Sequence, residues 1–196
     1  MAAKDKAVPT LAIEGDWQTD KAWSFTKIQD NDLFAEQTGF KSGFSVAYNP
    51  SEQKAWLTHC PGVIAMARGS EPDTASSHFY IPNGQAPRYL DRIMTIFGRV
   101  VYGMNHVQAI KRTTGIEGEY ALDSREHTPI ITMQMMADVA KDERIIIEVE
   151  NTESTDFIAG IEKRRARPNA FFFKKPPPVL DICQTPVKSR LVKVAP

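Results

Sequence analysis

The chain has 196 residues, and its 42% hydrophobic content is enough to bury the core of one domain of ordinary size. Its 24 basic and 24 acidic residues give a formal net charge of zero. Because nucleic-acid binding needs clustered Lys and Arg, this balance predicts no nucleic-acid partner and gives no reason to expect an anionic membrane partner. The sequence lacks an apolar run of about 18 residues, so we predict no membrane span.

Residues 1–44 show neither the helical nor the strand period cleanly. Disordered segments are poor in aromatic residues, whereas this one is rich in them. We therefore predict an irregular N-terminal wrap or insert that is held against the body of the protein by its aromatic side chains. These are Trp17, Trp23, Phe25 and Phe34.

Residues 45–139 form the predicted compact part. Short apolar or β-branched runs bounded by turn residues indicate strands, and apolar positions at helical spacing indicate a helix over 102–112. This order predicts a mainly β fold, a barrel or sandwich, with few helices. The predicted strands are 54–59, 62–67, 78–83, 95–101 and 128–136.

Residues 140–196 have the character of a C-terminal extension. We predict a strand over 144–150 and a helix over 154–167 that is capped near Ser154 or Thr155 and ended by Pro168. A Pro-rich, extended stretch follows. The basic run at the end of the helix is either a solvated helix terminus, favoured by the helix dipole, or a site for an acidic partner.

Cys60 and Cys183 lie far apart and have no metal-ligand spacing. They are either two buried free thiols, which the composition favours, or one disulfide that closes a long loop in an oxidising compartment. The sequence also lacks a nucleophile elbow, a phosphate-binding glycine loop, paired carboxylates and a ligand pattern among its four histidines. We predict no metal and no cofactor.

Residues 61–107 contain "PGVIAMARG", then "SSHFYI", then "APRYLDRIMTIFGRVVYGMNHV". These motifs, in this order and spacing, resemble the second half of the cyclophilins, a family of peptidyl-prolyl cis-trans isomerases that act in protein folding. The resemblance implies a cyclophilin-like β-barrel, of which this chain holds the second half. It also implies a shallow surface groove that grips the proline of an X-Pro peptide bond.

The resemblance places the substrate-binding groove on two strands and the segment that follows them. His78 stands where the family has a glutamine, and Tyr80 stands at the phenylalanine that floors the proline pocket. Tyr89 replaces a tryptophan, and Met94 replaces a histidine. The implied groove residues are Ala67, Arg68, Gly69, His78, Tyr80, Tyr89, Leu90 and Met94.

The family's catalytic arginine motif is not found in this chain, and no catalytic residue is identified. Lys27 stands near the place of that arginine, but a lysine is a point donor without the planar fork of a guanidinium. One function that the resemblance implies is isomerisation of X-Pro bonds, and the alternative is a non-catalytic module that binds proline-containing peptides or serves in assembly. A third hypothesis is a purely structural half-domain with a neutral surface.

The residues before Pro61 resemble the long insert of certain bacterial cyclophilins. This implies that the first half of the barrel is absent from this sequence, and a half barrel exposes strand edges. Either a second chain or a preceding N-terminal segment supplies that half, or the N-terminal wrap covers the exposed edges, or two copies of the chain dimerise. Bacterial proteins of this insert-bearing type are often exported. The expected location is therefore periplasmic or exported, with the cytoplasm as the alternative.

Overall fold

The computed structural model describes residues 9–112 and 127–193. Residues 1–8 and 113–126, which belong to the predicted N-terminal and central parts, lie outside the described residues. Among the described residues, strands outnumber helices. The strands are β1 Trp17–Gln18, β2 Thr26–Asp30, β3 Gln37–Lys41, β4 Phe44–Asn49, β5 Lys54–Leu57, β6 Val63–Met66, β7 Phe79–Tyr80, β8 Ile96–Arg99, β9 Ile146–Val149 and β10 Ser189–Lys193, and the helices are α1 Met104–Ala109 and α2 Thr155–Ala166.

The chain divides into two compact units. The first holds the described residues of Met1–Val100 and Val149–Lys188, and the second holds those of Val101–Glu148 and Ser189–Pro196. The three-part division predicted from the sequence stays a prediction.

A five-stranded antiparallel sheet forms the first half of the first unit, in the order β1-β5-β4-β3-β2. Ser42 and Gly43 join β3 to β4 and have positive φ angles of 49° and 80°, as a tight hairpin turn requires. The prediction of an irregular segment over residues 1–44 is therefore wrong for β1, β2 and β3. This error has a physical cause in β3. Thr38, Gly39 and Phe40 are all buried, so the strand lacks the alternation of apolar and polar residues that indicates a strand in a sequence.

A second, three-stranded sheet follows in the order β7-β6-β8, and all of its pairs are antiparallel. Gly62 starts it with a φ of 83°, a conformation that favours glycine. Its N–H donates to Pro82 at 2.7 Å, and its carbonyl accepts from Val100 at 2.7 Å. These bonds hold the chain entering β6 between the segments that follow β7 and β8, and they confirm the strands predicted there.

Helix α2 completes the first unit's core. The Ser154 side chain accepts from the Phe157 N–H, which confirms the predicted N-cap. Phe157 and Ile161 are each 5% exposed, and the Phe157 ring meets Phe40 edge to face at 5.4 Å. Leu180 and Ile182 join the same buried cluster. The sequence past residue 149 therefore contributes to the core of the first unit.

Cys60 and Cys183 form a disulfide that spans 123 residues. Both lie in the first unit, and Cys60 is buried in its core. Of the two alternatives left open by the sequence, the structure contains the disulfide. The bond ties the segment after α2 to the turn that precedes β6.

The second unit contains α1, the pair of β9 and β10, and residues 127–145. The strand predicted over 128–136 is wrong, because the structure has no strand there. Ile131, Met133 and Met135 are 87%, 72% and 72% exposed. β-branched residues favour a strand only when a neighbouring strand pairs with them.

The prediction of a mainly β protein with a few helices is confirmed. The strands lie in three separate sheets, and no closed sheet is present among the described residues. Neither helix in the described part of the chain is long and apolar enough to cross a membrane.

Candidate functional site

The β6–β7 pair positions the first group of predicted groove residues. Ala65 lies opposite Tyr80 in the register, and the Ala67 N–H donates to the His78 carbonyl at 2.9 Å. The exit of β6 therefore runs beside the start of β7. The His78 side chain is exposed, and Tyr80 is half-buried against the core cluster that contains Ala65.

Arg68 follows β6, and its guanidinium is held by backbone carbonyls. Nε donates to Ile93 at 3.1 Å, while one terminal nitrogen donates to Gly69 at 2.8 Å and to Ser70 at 3.2 Å. The Gly69 N–H in turn donates to Thr74 Oγ1 at 3.0 Å. Arg68 therefore braces the loop after β6 against the segment before β8.

The remaining predicted residues lie on the segment between β7 and β8. Tyr89 is 73% exposed, and Leu90 is half-buried at the end of a short 3-10 turn, Arg88–Leu90. Met94 lines a cavity of about 400 Å³ together with Trp17, Leu57 and other residues. Neither Tyr80 nor Leu90 lines that cavity.

Tyr80 is the end of a chain of buried polar groups. Its hydroxyl lies 3.0 Å from His59 Nε2, and the two rings stack at 14° with their centroids 6.3 Å apart. His59 is fully buried, and its Nδ1 lies 3.2 Å from Asp91 Oδ1. Because an ionised carboxylate only accepts, the proton belongs on Nδ1, and Nε2 accepts from the Tyr80 hydroxyl.

Asp91 is fixed by further donors. Its carboxylate accepts from Trp56 Nε1 at 3.2 Å and from Arg88 Nε at 2.6 Å. Arg88 is 5% exposed, reaches Asp32 Oδ1 at 3.1 Å, and lies over the Phe34 ring at 5.1 Å. A buried charge is tolerated only when it is paired and hydrogen-bonded, and this cluster meets that condition.

Burial, with a smaller contribution from the neighbouring Tyr89 and against an opposing effect of Arg68, raises the pKa of Tyr80 to about 12. At neutral pH the phenol is therefore protonated and acts as a donor. The Tyr80 hydroxyl donates to His59, so the buried polar end of the side chain has a hydrogen-bond partner. The rest of the ring is left as an apolar surface.

Sequence reasoning missed His59, Arg88 and Asp32 as partners of this site. His59 and Asp91 are separated by 32 residues, and spacing gave no signal that they meet. Asp91 lies within the motif "APRYLDRIMTIFGRVVYGMNHV" but is not among the groove residues that the resemblance implies. Nothing short of the fold places these groups together.

Lys27, which the resemblance places near the position of the family's arginine, lies on β2. Its Nζ is 2.9 Å from both carboxylate oxygens of Asp30. The pair is solvent-exposed, with side-chain exposures of 46% and 55%. Among the described residues no cluster of His, Cys, Asp and Glu could hold a metal ion.

The first unit's sheets and the second unit's elements have a counterpart among solved structures. The cyclophilin AquaCyp293 from Hirschia baltica matches with a TM-score of 0.75 at 22% identity, over 98% of this chain and 69% of that one. The fold is therefore a cyclophilin fold.

The family model described as "Cyclophilin type peptidyl-prolyl cis-trans isomerase/CLD" matches residues 8–136. The chain belongs to this family. It is also 34% identical over 85 residues to the peptidyl-prolyl cis-trans isomerase CYP71 of Arabidopsis thaliana, a match that covers 43% of this chain. The matched part spans 13% of that plant protein's length.

Proposed function

We propose that this chain is a peptidyl-prolyl cis-trans isomerase that grips the proline of X-Pro peptide bonds in an apolar surface groove. The proposal needs no cofactor and no metal. The observation that carries it is family membership, and the placing of Ala67, His78 and Tyr80 side by side on the β6–β7 pair supports the location of the groove. The proposed groove residues are Ala67, Arg68, Gly69, His78, Tyr80, Tyr89, Leu90 and Met94.

Catalysis of X-Pro isomerisation needs a pocket that holds the proline ring rigidly and a hydrogen-bond donor. An X-Pro bond rotates over a barrier of about 18–20 kcal/mol, because amide resonance is lost in the twisted state. A pocket that holds the proline ring fixes one side of the bond. A donor that meets the pyramidal nitrogen only in the twisted state lowers the barrier, because it binds that state more tightly than either planar one.

The Tyr80 ring has the properties of a pocket floor. Its hydroxyl donates to His59, so the ring cannot rotate away without breaking a bond to a fully buried partner. Such a floor is pre-organised, which lowers the cost of ordering the groove when a peptide binds. Exposed Tyr89 and half-buried Leu90 supply further apolar surface on the neighbouring turn.

A direct test measures isomerisation of a short X-Pro peptide by the full chain. We expect a rate above the uncatalysed background, and a lower kcat/KM for Tyr89→Ala. Tyr102→Ala is the matched control, since Tyr102 is 57% exposed and outside the proposed groove. No rate above background would exclude the enzymatic function of this chain.

The alternative is a non-catalytic module that binds proline-containing peptides or serves in assembly. The donors of Arg68 are already engaged with three carbonyls, and Lys27 is paired with Asp30, which favours this alternative. Peptide binding by isothermal titration calorimetry without turnover would support it. Turnover that is lost in Lys27→Ala and kept in the exposed control Lys21→Ala would instead assign Lys27 as the donor.

We also propose that a second chain or a preceding N-terminal segment completes the barrel. Within residues 9–112 and 127–193 none of the three sheets is closed, and β1 and β2 are edges of the five-stranded sheet. Unpaired edges favour association. The test is light scattering on the purified chain, in which a well-folded monomer would contradict completion by another chain, followed by co-expression with a segment that carries the family's arginine motif.

A periplasmic or exported location is proposed from the disulfide, which persists in oxidising compartments. The cytoplasm is the alternative. Mass spectrometry of the protein from its native cells under non-reducing conditions distinguishes them, since two free thiols would remove the support for export.

A further inference from the structure

The zero net charge of the chain conceals a strongly basic segment. Residues 162–175 contain six basic residues and one acidic residue, which leaves 18 basic and 23 acidic residues elsewhere. This segment covers the end of α2 and the loop after it, within the first unit. We call its exposed basic and aromatic side chains the aromatic-basic surface, which consists of Lys163, Arg164, Phe171, Phe173, Lys174 and Lys175.

Two phenylalanines of this surface have almost no cover. Phe171 is 81% exposed and Phe173 is 89% exposed. Between them, Phe172 is half-buried, meets Phe171 edge to face at 5.4 Å, and lines a cavity together with Lys163 and Arg164. The aromatic and basic groups are therefore contiguous. Adjacent exposed aromatic rings are uncommon unless something binds them.

The loop that follows α2 is held by hydrogen bonds at its base. Arg167 donates to the Pro177 carbonyl at 2.8 Å and to the Val179 carbonyl at 3.1 Å, and Arg165 donates to Pro178 at 2.9 Å. The Asn169 side chain accepts from the Phe171 N–H at 2.8 Å. Two arginines thus hold the two ends of the loop together, and the tip with its phenylalanines projects from a fixed base.

The other cations of the segment are unused. Lys163, Arg164, Lys174 and Lys175 are exposed and form neither an ion pair nor a side-chain hydrogen bond within the described ranges. The segment's acidic residue, Glu162, is paired with Arg165 at 3.4 Å. Asp181 lines the same cavity as Lys163 and Arg164 but, among the described residues, forms no ion pair with any of the four cations, so the surface keeps a net positive charge.

We propose that the aromatic-basic surface docks on an anionic lipid bilayer. Phe171 and Phe173 enter the boundary between headgroups and acyl chains, and the four free cations meet lipid phosphates. A phenyl ring has no hydrogen-bonding group, so it gains most from leaving water for acyl chains, whereas a soluble polyanion needs the cations alone. This proposal is independent of the isomerase activity.

The test is co-sedimentation of the full chain with vesicles of phosphatidylcholine and phosphatidylglycerol at 3:1, compared with pure phosphatidylcholine. We expect binding to the anionic vesicles that weakens as salt rises. Phe171→Ser with Phe173→Ser, and separately Lys174→Gln with Lys175→Gln, should each weaken binding at least about tenfold. Leu33→Ser is the matched control, because Leu33 is 88% exposed but next to Asp32 instead of lysines, and it should bind as the unaltered chain does.

A second measurement does not depend on loss of binding. Phe173→Trp should show a blue shift of tryptophan emission with anionic vesicles that exceeds any shift of the unaltered chain. Three results would overturn the proposal: no binding to anionic vesicles at low salt, loop variants that bind as the unaltered chain does, or binding to heparin that needs the lysines and ignores the phenylalanines. Matching circular dichroism spectra and melting temperatures show that the variants are folded.

Discussion

The Tyr80 hydroxyl lies 3.0 Å from Nε2 of the fully buried His59. This bond joins a residue of the proposed groove to a buried ionic cluster, because Nδ1 of His59 lies 3.2 Å from Asp91, which Arg88 contacts at 2.6 Å. The proposed floor of the groove is thus attached to buried, hydrogen-bonded polar groups of the first unit. Substitutions at His59 should therefore affect stability and groove geometry together.

We expect His59→Leu to lower the free energy of unfolding by about 2–4 kcal/mol, because it leaves the Tyr80 hydroxyl and the Asp91 carboxylate short of a buried partner. Urea denaturation measures this. His78→Leu is the control, since the His78 side chain is exposed and its change should stay within about 0.5 kcal/mol. Equal losses in the two variants would show that the His59 bonds contribute nothing to stability.

Tyr80 should make stability depend on pH in the alkaline range. Burial raises its pKa to about 12 in the folded state, whereas an unfolded tyrosine titrates near its reference value of about 10. Between these values the folded state binds more protons than the unfolded state, so the free energy of unfolding falls as pH rises. Urea denaturation from pH 9 to 11 should show that the free energy of unfolding of the unaltered chain falls relative to that of Tyr80→Phe. A difference between the two that does not change with pH would contradict this.

How much of the fold the sequence predicts depends on how each element is buried. The strands β6, β7 and β8 and the cap at Ser154 were predictable, because apolar runs bounded by turns and a Ser before a helical pattern are local signals. In the first sheet, β5 lies within the strand predicted over 54–59, whereas β3 was not predictable, because Thr38 and Gly39 are buried beside Phe40 and break the alternation. The strand predicted over the exposed segment 128–136 was wrong for a different reason. The composition of this segment is typical of a strand, but no neighbouring strand among the described residues pairs with it.

The candidate site also has a part that the sequence predicts and a part that it does not. The positions on β6 and β7 followed from motifs that are continuous in sequence. The polar groups behind Tyr80 could not be predicted, because His59, Arg88 and Asp32 come from three distant segments and meet only through sheet packing. Burial of a histidine against an aspartate leaves no pattern that a single sequence can show.

Loss of the Cys60–Cys183 bond should be costly, because it closes a loop with a sequence separation of 123. Chain entropy alone predicts a loss of about 4–5 kcal/mol of stability in the double variant Cys60→Ala with Cys183→Ala. The measurement is urea denaturation of the unaltered chain with and without dithiothreitol, beside the double variant. Reductant should lower the denaturation midpoint of the unaltered chain and leave that of the double variant unchanged. An effect of reductant on the double variant would assign the loss to something other than this bond.

Helix α2 lies past residue 136, where the family match ends, yet it is part of the first unit's core. Phe157 is 5% exposed and meets Phe40 edge to face at 5.4 Å. We expect Phe157→Ala to cost about 3–5 kcal/mol of stability, because it leaves a cavity against the sheet. Ile158→Ala, one position along and 44% exposed, is the matched control and should cost about 1 kcal/mol or less. Similar midpoints for the two variants would mean that the helix is an appendage. A large difference would place residues 149–188 inside the folding unit that carries the proposed groove.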